Sequence, residues 1–415
     1  MVTELAGSGR QLQSAPVITV DEAFAIIDRA ASPLGDEAVP LEEAGGRILA
    51  ADVSSDVDWP PFDTSAMDGY AVRAEEAHAP GVILRERPGL VAAGDPPAAP
   101  LSPGEAVRLM TGAPLPSGAD AVVPVEHAHS AGGGVSFDRP PEPGAHLRRR
   151  GESVARGTVL VPAGRRLTPA DVALAALAGA DPITVRRRPR VAIAPTGNEL
   201  VPASEAPAAG KLRDSNGPML DALCRARGWP TLARERIADE PAAVERLFED
   251  AGDADVLVTS GGVSAGDLDL LPPAAARAGW EILFHRVAVR PGKPIAFARR
   301  GRQLWFGLPG NPVSASVCFQ LFVRRALDRL EGAGSAGPTV VVATLARGLG
   351  PAGPRETYRD ARLAEENGAR RAEPLPSAGS HDIAAHAKAN ALIRLPAGGG
   401  SLEEGSVVTC VLLER

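Results

Sequence analysis

The sequence has little with which to staple itself, anchor itself or bind through bulk charge. Its three cysteines, Cys224, Cys318 and Cys410, lie far apart in apolar surroundings, which suggests neither a zinc cluster nor a disulfide framework and fits a reducing compartment. No apolar run reaches the length of a membrane span, and the opening "MVTELAGSGRQLQSAP" has no apolar signal core. A cytoplasmic chain with no membrane partner is therefore expected. Positive charge is not in excess either: 44 Lys and Arg against 51 Asp and Glu leave a formal net charge of -7. That balance argues against a nucleic-acid binder relying on general positive charge. The basic runs 148–150 and 186–188 adjoin Gly or Pro and read as solvated charge at domain junctions.

What the sequence does have is length and punctuation. At 415 residues it exceeds what one core supports, and 45 Gly with 39 Pro mark many turns and short strands without reaching a disordered composition. "VDEAFAIIDRAAS" has helical apolar spacing, with Asp21 placed to cap it. Residues 52–146 change to short β-type runs broken by Pro and Gly, as expected of an inserted β-rich domain. "GTVLVPAGRRLTPADVALAALAGA" gives a strand, a turn and a helix capped by Thr168, with Pro169 first and Gly179 near its end. It is expected to return to the initial helix, so that 1–51 and 147–186 form one discontinuous linking domain of helical and β parts.

Over 187–332 three apolar runs, in "RVAIAPTGNEL", "DVLVTSGGVSAGD" and "QLWFGLPGNPVSA", each end in a polar, glycine-containing loop, with helix candidates between them. Non-alternating runs separated by helices predict parallel strands buried on both faces, an α/β domain whose ligand lies beyond the carboxyl ends of the strands. Residues 333–415 return to β-type runs and predict a separate C-terminal β domain.

Those loops hold most of the candidate chemistry. Ser260, Gly261, Gly262 and Ser264 form a Gly-rich loop whose backbone donors suit an oxyanion or phosphate, without the Lys of a Walker loop. Arg213, Asp214, Ser215 and Asn216 precede Pro218 at a helix start, where they either cap the helix or receive an anion. Glu199 and Asp269 follow two strand ends; facing one cleft, they would need a divalent cation such as magnesium between them. Arg290 and Lys293 flank a Pro-Gly turn and can hold an oxyanion, and Pro309 and Pro312, with Gly310 and Asn311 between them, stiffen a loop before a helix. Earlier in the chain, Met67-Asp68-Gly69-Tyr70 reads as a tight turn, or as a carboxylate held rigidly so that it meets something.

The ordered set "FDTSAMDGYAV", "MTGAPLPSGADAVVPVE", "RRRGES", "PTGNEL", "RDSN", "TSGGVSAGDLD", "RPGKP" and "LPGNPVSA" resembles the molybdopterin molybdenumtransferase family, from about residue 18 to the C-terminus. That family includes the bacterial MoeA proteins and the E domain of gephyrin. The resemblance implies insertion of molybdate into adenylylated molybdopterin with release of AMP, aided by Mg2+. It implies a four-domain subunit with a MogA-like parallel-sheet domain and a C-terminal β-barrel-like domain, in an elongated homodimer whose active site both subunits share. A molybdopterin adenylyltransferase would act upstream, and molybdoenzymes or their chaperones downstream.

Residue by residue, the resemblance makes Asp68 and Thr111 functional positions reaching into the partner's cleft. Glu199, Asp239 and Asp269 become acidic positions for catalysis or metal, Lys293, Pro309 and Pro312 cleft positions, and Arg355 and Ser380 molybdate contacts. Two departures stand out: Ser153 replaces the usual acid after Arg-Gly-Glu, and Arg290 stands where Lys is frequent. Alternative readings are a molybdopterin adenylyltransferase, for which the α/β unit alone would suffice, and a non-catalytic gephyrin-like scaffold.

Overall fold

The computed structural model describes residues 16–413 apart from 235, 251, 264–269 and 367, so the candidates Ser264 and Asp269 lie outside the described residues. The apolar runs form the expected sheet. Strands Thr231–Arg234, Val191–Pro195, Val256–Ser260 and Gln303–Leu308 lie parallel in that spatial order, and Ala296–Arg300 and Glu281–His285 extend the sheet antiparallel. Side chains alternate between two cores. Val191, Ile193, Val256 and Val258 face helices Asn216–Ala226, Pro312–Cys318 and Arg324–Leu330, whereas Ala194, Leu257 and Trp305 face Pro241–Glu249 and Leu271–Arg277. Burial on both faces is why these strands read as continuous apolar runs.

Helix Val20–Ala30 starts two residues earlier than a cap at Asp21 suggested. Thr19 is the cap: its hydroxyl accepts from Glu22 N (3.2 Å), and the Glu22 carboxylate accepts from Thr19 N (2.7 Å), a capping box stabilising the helix by about 1 kcal/mol. The helix packs on the α/β domain, sharing a core with Phe322 and Leu327, and Asp28 receives both Arg325 and Arg329. This differs from the expectation that joined it to the 147–186 segment.

The linking module forms without that helix. Asp36–Val39 pairs with Ile183–Arg186 and Val53–Ser54 with Val159–Val161, around a core of Val39, Leu49, Val161 and Ala175. Helix Pro169–Leu177 starts as predicted, with Thr168 and Asp171 in a second capping box. The two basic runs differ: residues 148–150 are exposed, as expected of solvated charge, with Arg149 and Arg150 in surface pairs with Asp63 and Asp58, whereas the 186–188 run is half-buried, Arg187 gripping Asp255 with two bonds (3.0 and 2.8 Å) and Arg186 meeting Asp36. Domain junctions bring acids from distant segments beside these arginines.

The inserted domain is a six-stranded sheet in the order Ala121–Pro124, Gly69–Val72, Glu105–Leu109, Leu84–Val91, Gly134–Phe137, Ala128–Ala131. The tight-turn reading of Asp68-Gly69 fails here. Gly69 is not in the left-handed region; it opens a strand between Leu109 and Pro124 so close to Val123 that a Cβ would collide with its carbonyl.

The C-terminal domain closes on itself. Strands Val340–Leu345, Glu356–Glu366, Ala369–Pro374, Ala391–Leu395 and Val407–Leu412 each find two neighbours, giving a five-stranded barrel without edges. A short strand of the α/β domain, Val289–Arg290, pairs with Glu356 and Thr357 and so fixes the barrel beside the strand-end loops. Among the described residues no helix is long and apolar enough to cross a membrane.

Candidate active site

The carboxyl ends of the three central strands meet through their loops. Gly261 has φ +105, and a Cβ there would sit 2.5 Å from the Thr196 carbonyl, so only glycine lets the loops after Val191–Pro195 and Val256–Ser260 touch. Ser260 is buried; its hydroxyl accepts from Asn216 Nδ2 (2.7 Å) and donates to the Pro309 carbonyl (3.3 Å). Asn216 also donates to the Gly310 carbonyl (2.7 Å), which leaves its buried Oδ1 without a partner. Asp214 rather than Ser215 caps the following helix, accepting from Gly217 N (2.9 Å). Arg213 is exposed and bonds the Glu205 carbonyl (2.9 Å). Of the predicted ligand residues here, Ser260 and Asn216 therefore tie loops together, while Arg213 and Ser215 stay open to solvent.

Two predicted acids come together at one lip of this floor. Asp239 is half-buried and donates its backbone N–H to Asn198 Oδ1 (3.1 Å). Burial pushes its carboxyl above the ordinary value, and the charge of Glu199 pushes it further. A half-buried carboxyl beside a second acid suits a hard divalent cation that keeps several of its own waters. Among the described residues no group of three or more such ligands gathers. Asn198, which joins the two acids' loops, went unmarked in the sequence although it precedes Glu199.

Beside the floor, between α/β domain and barrel, lies a cavity of about 560 Å³. Its walls carry Arg290, Lys293, Arg355, Asn311 and Ser380, as predicted, and also Arg359, Asp360 and His381, which were not. Gly292, at φ +113, lets the Arg290 to Lys293 turn lie against Cys318 Sγ with no room for a Cβ. Among the described residues neither Arg290 nor Lys293 has an acidic partner, and Arg355 bonds only the Val289 carbonyl (3.3 Å). Asn311 donates to Ser380 Oγ (2.9 Å), joining the predicted Pro309 to Pro312 loop to the barrel. A cationic, donor-rich cavity adjoining a two-acid lip is suited to a tetrahedral oxyanion next to a phosphate-bearing ligand.

Asp68 and Thr111 lie elsewhere, on the rim of the inserted domain. Asp68 Oδ1 accepts from both Thr111 N (2.7 Å) and Thr111 Oγ1 (2.8 Å), and those donors hold the carboxyl below its ordinary value. Both residues are exposed, and neither bonds the α/β domain. The adjoining loops expose Trp59, Phe62, Met67 and Met110. Ser153 is exposed on the same side, its N–H donating to the Trp59 carbonyl (3.1 Å).

Three family models cover this architecture in order: the MoeA N-terminal region (domain I and II) over residues 18–179, a "Probable molybdopterin binding domain" over 192–329, and the MoeA C-terminal region (domain IV) over 342–413. The molybdopterin molybdenumtransferase of Nostoc sp. is 35% identical across 95% of this chain and 93% of its own length. The chain belongs to the molybdopterin molybdenumtransferase family. The Bacillus subtilis molybdopterin molybdenumtransferase is 34% identical, over 97% of this chain and 96% of its own. A crystal structure of a molybdopterin biosynthesis MoeA protein from Pyrococcus horikoshii superposes with a TM-score of 0.80 at 31% identity, covering 96% of this chain and all of that one. Membership makes this chain a transferase of molybdenum cofactor biosynthesis, and the cationic cavity and strand-end floor are its candidate active site.

Proposed function

We propose that the chain transfers molybdenum from molybdate to adenylylated molybdopterin and releases AMP. The observation that carries this reading is the cavity holding Arg290, Lys293 and Arg355, contiguous through Asn311 and Pro309 with the strand-end loops. Molybdate is a doubly charged tetrahedral oxyanion and fits the cationic walls; the nucleotide-linked pterin fits the adjoining floor of Gly261, Gly262 and Gly310. Among the described residues lining the cavity no side chain stands activated as a nucleophile for a covalent intermediate, so the proposed contribution is placement and charge neutralisation.

Glu199 and Asp239, with Asp269 as a third candidate, would hold magnesium. When bound, the ion would supply charge neutralisation at the phosphoanhydride. The chain's own part is to fix the two acids through Asn198 and to present Lys293 to the oxyanion.

Asp68 and Thr111 bond each other and do not line the cationic cavity of their own subunit, and the adjoining loops expose apolar side chains. A second copy covering that rim, in an elongated homodimer, would bring the Asp68 carboxylate to the partner's cleft. Three unpaired cysteines are compatible with cytoplasmic work between an upstream adenylyltransferase and downstream molybdoenzymes or their chaperones. The test is AMP release from adenylylated molybdopterin with magnesium, with and without molybdate. Molybdate-dependent release is expected; consumption of ATP instead would indicate an adenylyltransferase, and no release from folded protein a scaffold.

A further inference from the structure

Behind the cavity wall runs a hydrogen-bonded series that the proposed chemistry leaves unused. Ser316 Oγ lies 2.9 Å from His386 Nε2, and His386 Nδ1 lies 2.7 Å from Asp360 Oδ1. Their exposures are 4%, 7% and 7%. They belong to the Pro312–Cys318 helix of the α/β domain, the short Ile383–His386 helix and barrel strand Glu356–Glu366. The carboxylate can only accept, so Nδ1 donates; Nε2 of an uncharged ring then accepts from the serine hydroxyl.

This order of groups would activate a serine nucleophile if a substrate could reach it. Ser316 is enclosed and forms no part of the cavity wall, so a hydrolytic role fails on access. Asp360, at the other end, does belong to that wall. A carboxylate beside an anion cavity is a hazard: uncovered, it repels a fully ionised oxyanion and offers an acceptor to one that still carries a proton.

Resting on the oxyanion reading of this cavity, we propose that His386 is a positioning residue that binds Asp360 away from the ligand, so that the pair selects a fully ionised tetrahedral oxyanion over a protonated one such as hydrogen phosphate. The bond to Ser316 fixes the imidazole and, with it, the spacing between the α/β wall carrying Lys293 and the barrel wall carrying Arg355. Asp382 holds the intervening loop, accepting from Ala378 N and Ala385 N (3.0 Å each). The lip at Ser380 is thus braced on both sides of the relay.

The experiment titrates molybdate and hydrogen phosphate separately into the full chain by calorimetry, with AMP release followed in parallel. His386→Ala should weaken molybdate binding about tenfold, raise KM for molybdate far more than it lowers kcat, and shrink the preference over phosphate. Adding Asp360→Asn to His386→Ala should recover most of the molybdate affinity, which repair of a packing defect would not do. If His386→Ala does not fold, the comparison passes to two milder variants: His386→Asn, which keeps a donor near Asp360, should bind molybdate better than His386→Gln, which reaches toward Ser316. Unchanged binding in folded His386→Ala, no recovery with Asp360→Asn, or equal behaviour of the Asn and Gln variants overturns the proposal. Failure of the wild type to bind molybdate overturns the cavity reading itself, a separate and recognisable result.

Discussion

The cavity under the barrel and the rim of the inserted domain solve opposite problems. In the cavity, cations from two domains of one chain stand together because Val289–Arg290 is hydrogen-bonded alongside Glu356 and Thr357. At the rim, Asp68 is held as rigidly by Thr111, yet it faces outward among Trp59, Phe62, Met67 and Met110. One region gathers charge that an anion would balance; the other displays a fixed carboxylate in an apolar setting that a protein surface would cover. A reactive residue type says what chemistry is possible, and only its surroundings say whose site it serves.

The most damaging way to probe that comparison is on the cavity side. Lys293→Ala or Arg355→Ala should lower molybdate-dependent AMP release by about 10²–10³-fold, as expected for removing a charge-stabilising donor, and Asp68→Ala should be comparably inactive despite its distance. Mixing the two kinds of defect sharpens the contrast. An equal mixture of Asp68→Ala and Lys293→Ala subunits, unfolded and refolded together, should regain about a quarter of wild-type turnover if each site draws on two chains. No recovery from correctly mixed dimers would return Asp68 to its own subunit.

A smaller effect is expected at the acidic lip. Because Asp239 keeps its proton to higher pH than an ordinary carboxyl, and the protonated form is a poor ligand, magnesium affinity should rise with pH through that raised value and level off above it. Cation binding should release protons, measurable by calorimetry in buffers of different ionisation enthalpy, and Asp239→Asn should remove that release. The smallest effect lies far from both regions: Thr168→Ala should cost about 1 kcal/mol in denaturant unfolding through loss of its capping box, with turnover unchanged.

Much of the fold was legible because local pattern and global packing agree. Doubly buried parallel strands must be apolar on both faces, so "VAIAP" and "VLVTS" could be read directly. The polar strands Glu356–Glu366 and Ala369–Pro374 were not legible, since barrel closure rather than composition holds them in place. Asp68-Gly69 misled for a related reason: the dipeptide resembles a turn, but the glycine is needed for the approach of Val123, a residue far along the chain. The arginine run at 186–188 misled because its acidic partners, Asp36, Asp255 and Glu331, are equally distant.

By itself the sequence determined the parallel sheet, the glycine loops at its strand ends, the helix cap at Thr168 and the motifs that mark the family, because each depends on residues close together in the chain. Only the tertiary structure decided that Asn198 ties the Asp239 loop beside Glu199, that Arg359 and Asp360 join Lys293 and Arg355 around one cavity, that Ser316, His386 and Asp360 form one relay, and that Asp68 is exposed on the rim bonded to Thr111. Those pairings depend on how separately folded domains dock, and docking is fixed by surfaces that no local run of residues encodes.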